Sequence, residues 1–127
     1  MAGSRFLEGY RILLVEDEYF IADEVRIALE AAGAVVVGPL ASIAEAMAQA
    51  RQDGFDLAVL DIRLRDGKCY ELADCLTAQS IPFIFATGYD AHVIPERFSA
   101  IHRCEKPFDQ ELLVRALQDL VAGKSAT

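Results

Sequence analysis

The chain has 127 residues, 54% of them hydrophobic, which suits one domain that buries roughly two thirds of its unfolded surface without disulfide or metal staples and excludes intrinsic disorder. Twelve Lys and Arg against twenty Asp and Glu leave a net charge of −8, with no basic run, so nucleic acid and anionic membrane are disfavoured as partners. The three cysteines, Cys69, Cys75 and Cys104, are scattered without a CxxC or Cys/His ligand pattern, and they are expected to be half-buried reduced thiols. The longest apolar stretches are too short and too Gly/Pro-broken to span a bilayer, and residues 1–9 lack a signal-peptide core, so the expected location is cytoplasmic.

Arg11–Val15 (RILLV) reads as a strand buried on both faces. From about Tyr19 to Ala32, Ile21, Val25, Ala28 and Leu29 recur at helical spacing, and Gly33 is placed to stop that helix. Val35–Val37 is a β-branched second strand that breaks at Gly38-Pro39. Ser42 opens the next helix, Glu45 completes a capping box, and the helix runs to about Gln52. Asp53-Gly54 turns into a third strand at Leu57–Leu60, and Asp66-Gly67 marks a turn before a helix over Tyr70–Ala78. Pro82–Ala86 is a fourth strand. In Tyr89–Ala100 the central Pro95 leaves a short or split helix, with Pro95–Phe98 as its regular part. Ile101–Glu105 is a polar strand suited to a sheet edge, and Asp109 caps a last helix striped by Leu112, Leu113, Ala116, Leu117 and Leu120. The expectation is one domain over residues 1–127, with 1–9 and 123–127 as loose ends. Five strands alternating with five helices predict an α/β fold, a doubly wound parallel sheet with its active edge at the strand C-termini.

Polar groups stand at four of those C-termini: Glu16-Asp17, Asp61, Thr87 and Lys106. A phosphate-binding loop after the first strand would be rich in Gly, Ser or Thr. Here it reads Val15-Glu16-Asp17-Glu18, which repels an anion and suits a hard cation with oxygen ligands, Mg²⁺ where phosphate is involved. Taken alone, the acids also suit a solvated helix start. Asp61 beside this pair completes a metal site and leaves an oxygen to attack a phosphoryl group. Thr87 offers a hydroxyl to a phosphoryl oxygen and Lys106 a point charge, aimed by the turn at Pro107. Each residue alone is an ordinary cap or loop residue; the four positions together read as a phosphoacceptor switch.

At these residues the chain resembles the receiver domain of two-component response regulators, over roughly Arg11 to Val121. The resemblance implies a flavodoxin-like sheet of strand order 2-1-3-4-5. It assigns Mg²⁺ to Glu16, Asp17, Asp61 and the backbone carbonyl of Arg63. It makes Asp61 the phosphoacceptor, Thr87 the switch hydroxyl, Lys106 the phosphate-pairing lysine and Pro107 a cis-prone turn residue. The implied donor is a phosphohistidine on a sensor histidine kinase or histidine phosphotransfer protein, and the receiver catalyses only its own phosphorylation and dephosphorylation. Residues Pro82–Tyr89 (PFIFATGY) are similar to the motif of a single-domain subgroup, named for its Phe-Ala-Thr-Gly-hydrophobic-Tyr pattern, whose members act in stress-response phosphorelays.

Most receivers of that family carry an aromatic residue three positions before the lysine; here it is Arg103. The switch is therefore expected to run through Tyr89, the short fourth helix or Arg103 itself, with Arg103 pairing to an acidic residue on a neighbouring helix or partner. The resemblance places Arg63 and Tyr89 at the positions that tune hydrolysis of the acyl phosphate, and their bulk is expected to lengthen its lifetime. The chain stops soon after the last helix, so the expected output is a downstream protein contact or onward phosphotransfer. The surface for it is the fourth helix, fifth strand and fifth helix, including His92, Arg97, Arg103 and Gln110. The alternatives are a pseudo-receiver that binds partners without phosphorylation and a fragment of a larger hybrid kinase. An aspartyl-nucleophile hydrolase of the haloacid dehalogenase type needs a second acid where Arg63 stands, and an FMN binder needs the missing phosphate loop.

Overall fold

A computed structural model describes residues 7–52, 54–88, 94–106 and 109–126. In chain order these residues form β1 (Arg11–Val15), α1 (Tyr19–Ala31), β2 (Val35–Leu40), α2 (Ile43–Gln52) and β3 (Leu57–Asp61). A short hairpin of β4 (Arg63–Leu64) and β5 (Gly67–Lys68) follows, then α3 (Tyr70–Ala78), β6 (Phe83–Thr87), a 3₁₀ turn (Glu96–Phe98), β7 (Arg103–Glu105) and α4 (Gln110–Ala126).

Strand alternation builds two cores. Leu13, Val15, Ala58, Leu60, Phe83 and Phe85 point to one face of the sheet, where Ala46 and Ala50 of α2 and Leu72, Ala73 and Leu76 of α3 cover them. The residues between them, Ile12, Leu14, Leu57, Val59, Ile84 and Ala86, point to the other face and pack on Val25 and Leu29 of α1 and Leu113, Ala116 and Leu117 of α4. All five residues of β3 and of β6 are buried, as central strands of a parallel sheet must be. Burying each Leu or Phe of these layers contributes roughly 1.5–3 kcal/mol.

The five-stranded sheet has the order β2-β1-β3-β6-β7, and every pairing is parallel. With the hairpin set aside this is the expected 2-1-3-4-5 order, so all strand C-termini reach the same edge.

Several expected boundaries move. The second strand does not end at Val37. It continues through Gly38-Pro39 to Leu40, because one extra residue of β2 bulges out there and the pairing with β1 resumes: Leu13 pairs with Val37 and Val15 with Leu40. Gly38 adopts a φ of 114°, and a Cβ there would lie 2.7 Å from the Leu14 carbonyl oxygen, so only glycine fits. The polar strand is shorter than expected, Arg103–Glu105, and lies at the edge. Of the expected fourth helix, residues 89–93 lie outside the described residues, and the 3₁₀ turn Glu96–Phe98 is the regular part of the rest. Four α-helices, not five, occur among the described residues. The expected loose ends are not loose where described. Leu7 is wholly buried and its N–H donates to the Ala32 carbonyl, and α4 runs on through Gly123 to Ala126. Cys69 and Cys104 are buried rather than half-buried, and all three thiols are free.

Candidate functional site

The common edge of the sheet gathers the strand-end residues into one cleft of about 270 Å³, lined among others by Asp17, Asp61, Arg63, Thr87 and Lys106. β1 extends into its loop when the Glu16 N–H donates to the Leu40 carbonyl at 2.9 Å. This fixes Glu16 in a buried position, with Asp17 half-buried beside it. Asp61 closes β3 and Thr87 closes β6, both buried, while Lys106 follows β7 directly. The Lys106 N–H donates to the Thr87 carbonyl at 2.7 Å, so the end of β6 sets where the lysine leaves the edge strand.

Glu16, Asp17 and Asp61 each present a carboxylate oxygen within 4.8 Å of the other two. The Lys106 ammonium is the cation among them. It lies 2.9 and 3.1 Å from the two oxygens of Glu16 and 3.3 Å from Asp61 Oδ2. Glu16 Oε2 also accepts the Glu18 N–H at 3.1 Å. Burial, and then the negative charge of Glu16, push the Asp61 carboxyl up to about 7, against the opposing pull of Lys106. For Lys106, burial favours the neutral amine, but its hydrogen bond to Glu16 and its attraction to Asp61 outweigh this, and its affinity for the proton is raised. Three carboxylates face one ammonium, and every donor is a hard oxygen. A small divalent cation fits that imbalance and that ligand chemistry.

The Thr87 hydroxyl donates to the Gly88 carbonyl at 3.1 Å and lines the same cleft. Arg63 and Lys68 reach the cleft from the hairpin. Arg103 is exposed on β7, in register with Phe85 of β6. Tyr89, Pro107 and His92 lie outside the described residues.

Three features here leave no sign in the sequence. Asp66 in the hairpin turn accepts the Ile43 N–H at 2.9 Å and the Ala44 N–H at 3.3 Å, so the loop after Asp61 caps α2 from 22 or more residues away. Ser42 and Glu45 share that end: Ser42 Oγ accepts the Glu45 N–H at 3.1 Å, while Glu45 reaches back to the Ala41 N–H rather than to that of Ser42. Cys69 is buried behind the hairpin, and burial, with Asp61 nearby, pushes its thiol up to about 12, so it is inert. Tyr70, read only as the start of a helix, lines the cleft. Neither the cap nor the tyrosine leaves a signal in local spacing.

A family model described as the response regulator receiver domain matches residues 12–118. The sensory transduction protein LytT of Bacillus cereus is 31% identical over 112 residues, covering 85% of this chain and 46% of that protein. The chain thus spans about half the length of the curated relatives it matches. Among solved structures, SdrG of Sphingomonas melonis Fr1 superposes with a TM-score of 0.79 at 37% identity, covering 88% of this chain and 96% of that one. The BeF3-activated conformation of SdrG, there assigned to Pseudomonas melonis Fr1, gives 0.74 at 35% identity, covering 94% and 98%. The PhyR stress response regulator gives 0.76 at 26% identity, covering 90% of this chain and 46% of that one. No described helix is long and apolar enough to cross a membrane. By the extent of the family match, this chain belongs to the response regulator receiver domains of two-component signalling.

Proposed function

We propose that Asp61 accepts a phosphoryl group from a phosphohistidine on a sensor histidine kinase or histidine phosphotransfer protein. One observation carries the reading: a buried carboxylate at a strand end faces two more carboxylates, with a lysine ammonium 3.3 Å away and a threonine hydroxyl in the same cleft. An ionised Asp61 oxygen attacks phosphorus, a P–O bond forms, the P–N bond breaks and the imidazole leaves with the electron pair. Lys106 supplies positive charge to one phosphoryl oxygen, and Thr87 turns its hydroxyl from the Gly88 carbonyl to another. Glu16, Asp17, Asp61 and the Arg63 carbonyl would hold Mg²⁺. When bound, the cation offsets charge among the carboxylates and on the phosphoryl group.

The output is a contact with a downstream protein or onward transfer to a histidine. Its surface is the 3₁₀ turn, β7 and α4, with Arg97, Arg103 and Gln110. The likeness to the PhyR stress response regulator supports a role in a stress response. The chain acts on no substrate but its own acyl phosphate, and Arg63 and Tyr89 lengthen its lifetime.

The test is an amide NMR titration with Mg²⁺ and then beryllofluoride, a mimic of the aspartyl phosphate, using Asp61→Asn as control. SdrG has a BeF3-activated conformation, which makes the probe apt. The expected result is shifts at Asp17, Asp61, Thr87 and Lys106 that the mutant lacks. Shifts with Mg²⁺ but none with beryllofluoride would overturn the reading in favour of a phosphorylation-independent interaction module.

A further inference from the structure

We propose that Tyr70 positions the phosphoryl group through its hydroxyl, and that its ring passes the state of the cleft to Phe98 and Arg97 on the outer surface. The inference rests on Asp61 being the phosphoacceptor.

Tyr70 is the first residue of α3 and lines the cleft that holds Asp61, Thr87 and Lys106. Its hydroxyl is buried and has no hydrogen-bond partner among the described residues, the one side-chain polar atom there of which this is so. A buried hydroxyl is expensive to leave unpaired, so such an atom calls for an explanation. Packing does not supply one, because phenylalanine would fill the same space without the orphaned oxygen. An oxyanion in the cleft does supply one, since a phenol is a good donor to it. Burial also raises the proton affinity of this phenol, so it remains a neutral donor.

The other side of the ring is committed elsewhere. Tyr70 stacks on Phe98 with centroids 5.6 Å apart and planes at 24°, and Phe98 meets Phe85 edge-on at 5.6 Å. The Arg97 guanidinium lies 4.6 Å from the Phe98 ring centre and makes two hydrogen bonds of 3.0 Å to Asp74. Tyr70 and Asp74 are one turn apart on α3. That turn therefore holds the 3₁₀ turn at two points, ring against Phe98 and carboxylate against Arg97. A tilt of Tyr70 toward a phosphoryl oxygen changes the stack on Phe98 and, with it, the seat of Arg97. Phe98 packs beside Phe85, whose register partner is Arg103, the position where most receivers carry an aromatic.

The experiment compares the full chain with Tyr70→Phe, which keeps the ring and removes only the hydroxyl. Mg²⁺ and then beryllofluoride are added while the Asp61 and Lys106 amides, the Phe98 amide and the Arg97 Nε–H resonance are followed. In the unsubstituted chain beryllofluoride moves all four. In Tyr70→Phe it still moves Asp61 and Lys106, binds about 10-fold more weakly for the lost hydrogen bond, and no longer moves Arg97. Without beryllofluoride the variant unfolds at an unchanged or higher urea concentration, which separates positioning from a structural role. Unchanged affinity and an unchanged Arg97 shift in Tyr70→Phe would overturn the inference and leave the acceptor reading standing. No beryllofluoride shift at Asp61 in the unsubstituted chain would overturn both. A Tyr70-dependent Arg97 shift with Mg²⁺ alone would assign the hydroxyl to the cation's hydration shell and overturn the phosphoryl assignment.

Discussion

Lys106 holds both oxygens of Glu16, at 2.9 and 3.1 Å, although 90 residues separate them in the chain. The glutamate side chain is 2% exposed and the lysine side chain 15%, so the pair is screened little by water. Lys106→Met leaves Glu16 and Asp61 as neighbouring buried carboxylates without their ammonium. The expected loss is roughly 2–4 kcal/mol of unfolding free energy in EDTA, by urea titration. Adding Glu16→Gln to that variant removes one of the stranded charges and recovers part of it. No loss in the single variant would show that Lys106 is free to leave Glu16 at no cost.

Asp61 gives the fold a pH dependence of defined sign. Its carboxyl moves from the ordinary 3.8 to about 7, so folding favours the protonated form. Its stabilising contribution is complete below 3.8 and is lost as pH rises through 7. In EDTA, Asp61→Asn should match the unsubstituted chain near pH 4 and be more stable by on the order of 1–2 kcal/mol near pH 8, allowing for solvent screening. A saturating divalent cation at pH 8 should close that gap, since it takes over the role of the proton. A difference independent of pH would count against a strained carboxylate at position 61.

How much of this was legible in the sequence follows from the range of the interactions involved. The strand-end residues Asp17, Asp61, Thr87 and Lys106 could be placed in one cleft because alternation and strand order are local or topological properties, and parallel connections fix which ends meet. What failed depends on contacts between distant segments. β2 looked broken at Pro39 because what continues it is the resumed pairing of Leu40 with Val15, a contact with a strand some 25 residues earlier. Within the stretch 1–9 that looked loose, the burial of Leu7 could not be foreseen because it depends on the end of α1. Residues 123–127 looked like a loose tail, yet α4 continues through Gly123 to Ala126. The hairpin of β4 and β5 is two residues on each side, too short for periodicity to reveal.

Asp66 joins that hairpin to α2. Its carboxylate accepts the Ile43 and Ala44 N–H groups, and the Ile43 bond is the main reason its acidity is raised below the usual 3.8. Since the folded value is depressed, this stabilisation is present above 3.8 and fades as pH falls through the folded value. Asp66→Ala should lower the urea midpoint near pH 7 and speed amide exchange at Ile43 and Ala44. Asp66→Asn keeps an acceptor oxygen and should retain most of the stability. Because the hairpin also carries Arg63 and Lys68 to the cleft, Asp66→Ala should weaken beryllofluoride binding as well. Faster exchange with unchanged binding would show that the hairpin holds its place without the cap.

Two glycines with left-handed backbone separate the cost of conformation from the cost of a clash. Gly38 has a φ of 114° and Gly54 a φ of 96°. A Cβ on Gly54 meets nothing within 4 Å, whereas one on Gly38 would lie 2.7 Å from the Leu14 carbonyl oxygen and 2.8 Å from the Leu40 nitrogen. Both neighbours of Gly38 are backbone atoms of β1 and β2, which cannot rotate away as a side chain can. Gly54→Ala should therefore cost only the left-handed conformation, about 1 kcal/mol. Gly38→Ala should cost that and a displacement of β2 from β1, together about 3 kcal/mol or more. Urea denaturation of the two variants under one set of conditions checks the ordering. Equal losses would mean that β2 shifts freely at its kink and that the extra residue at Gly38-Pro39 is not held by close packing.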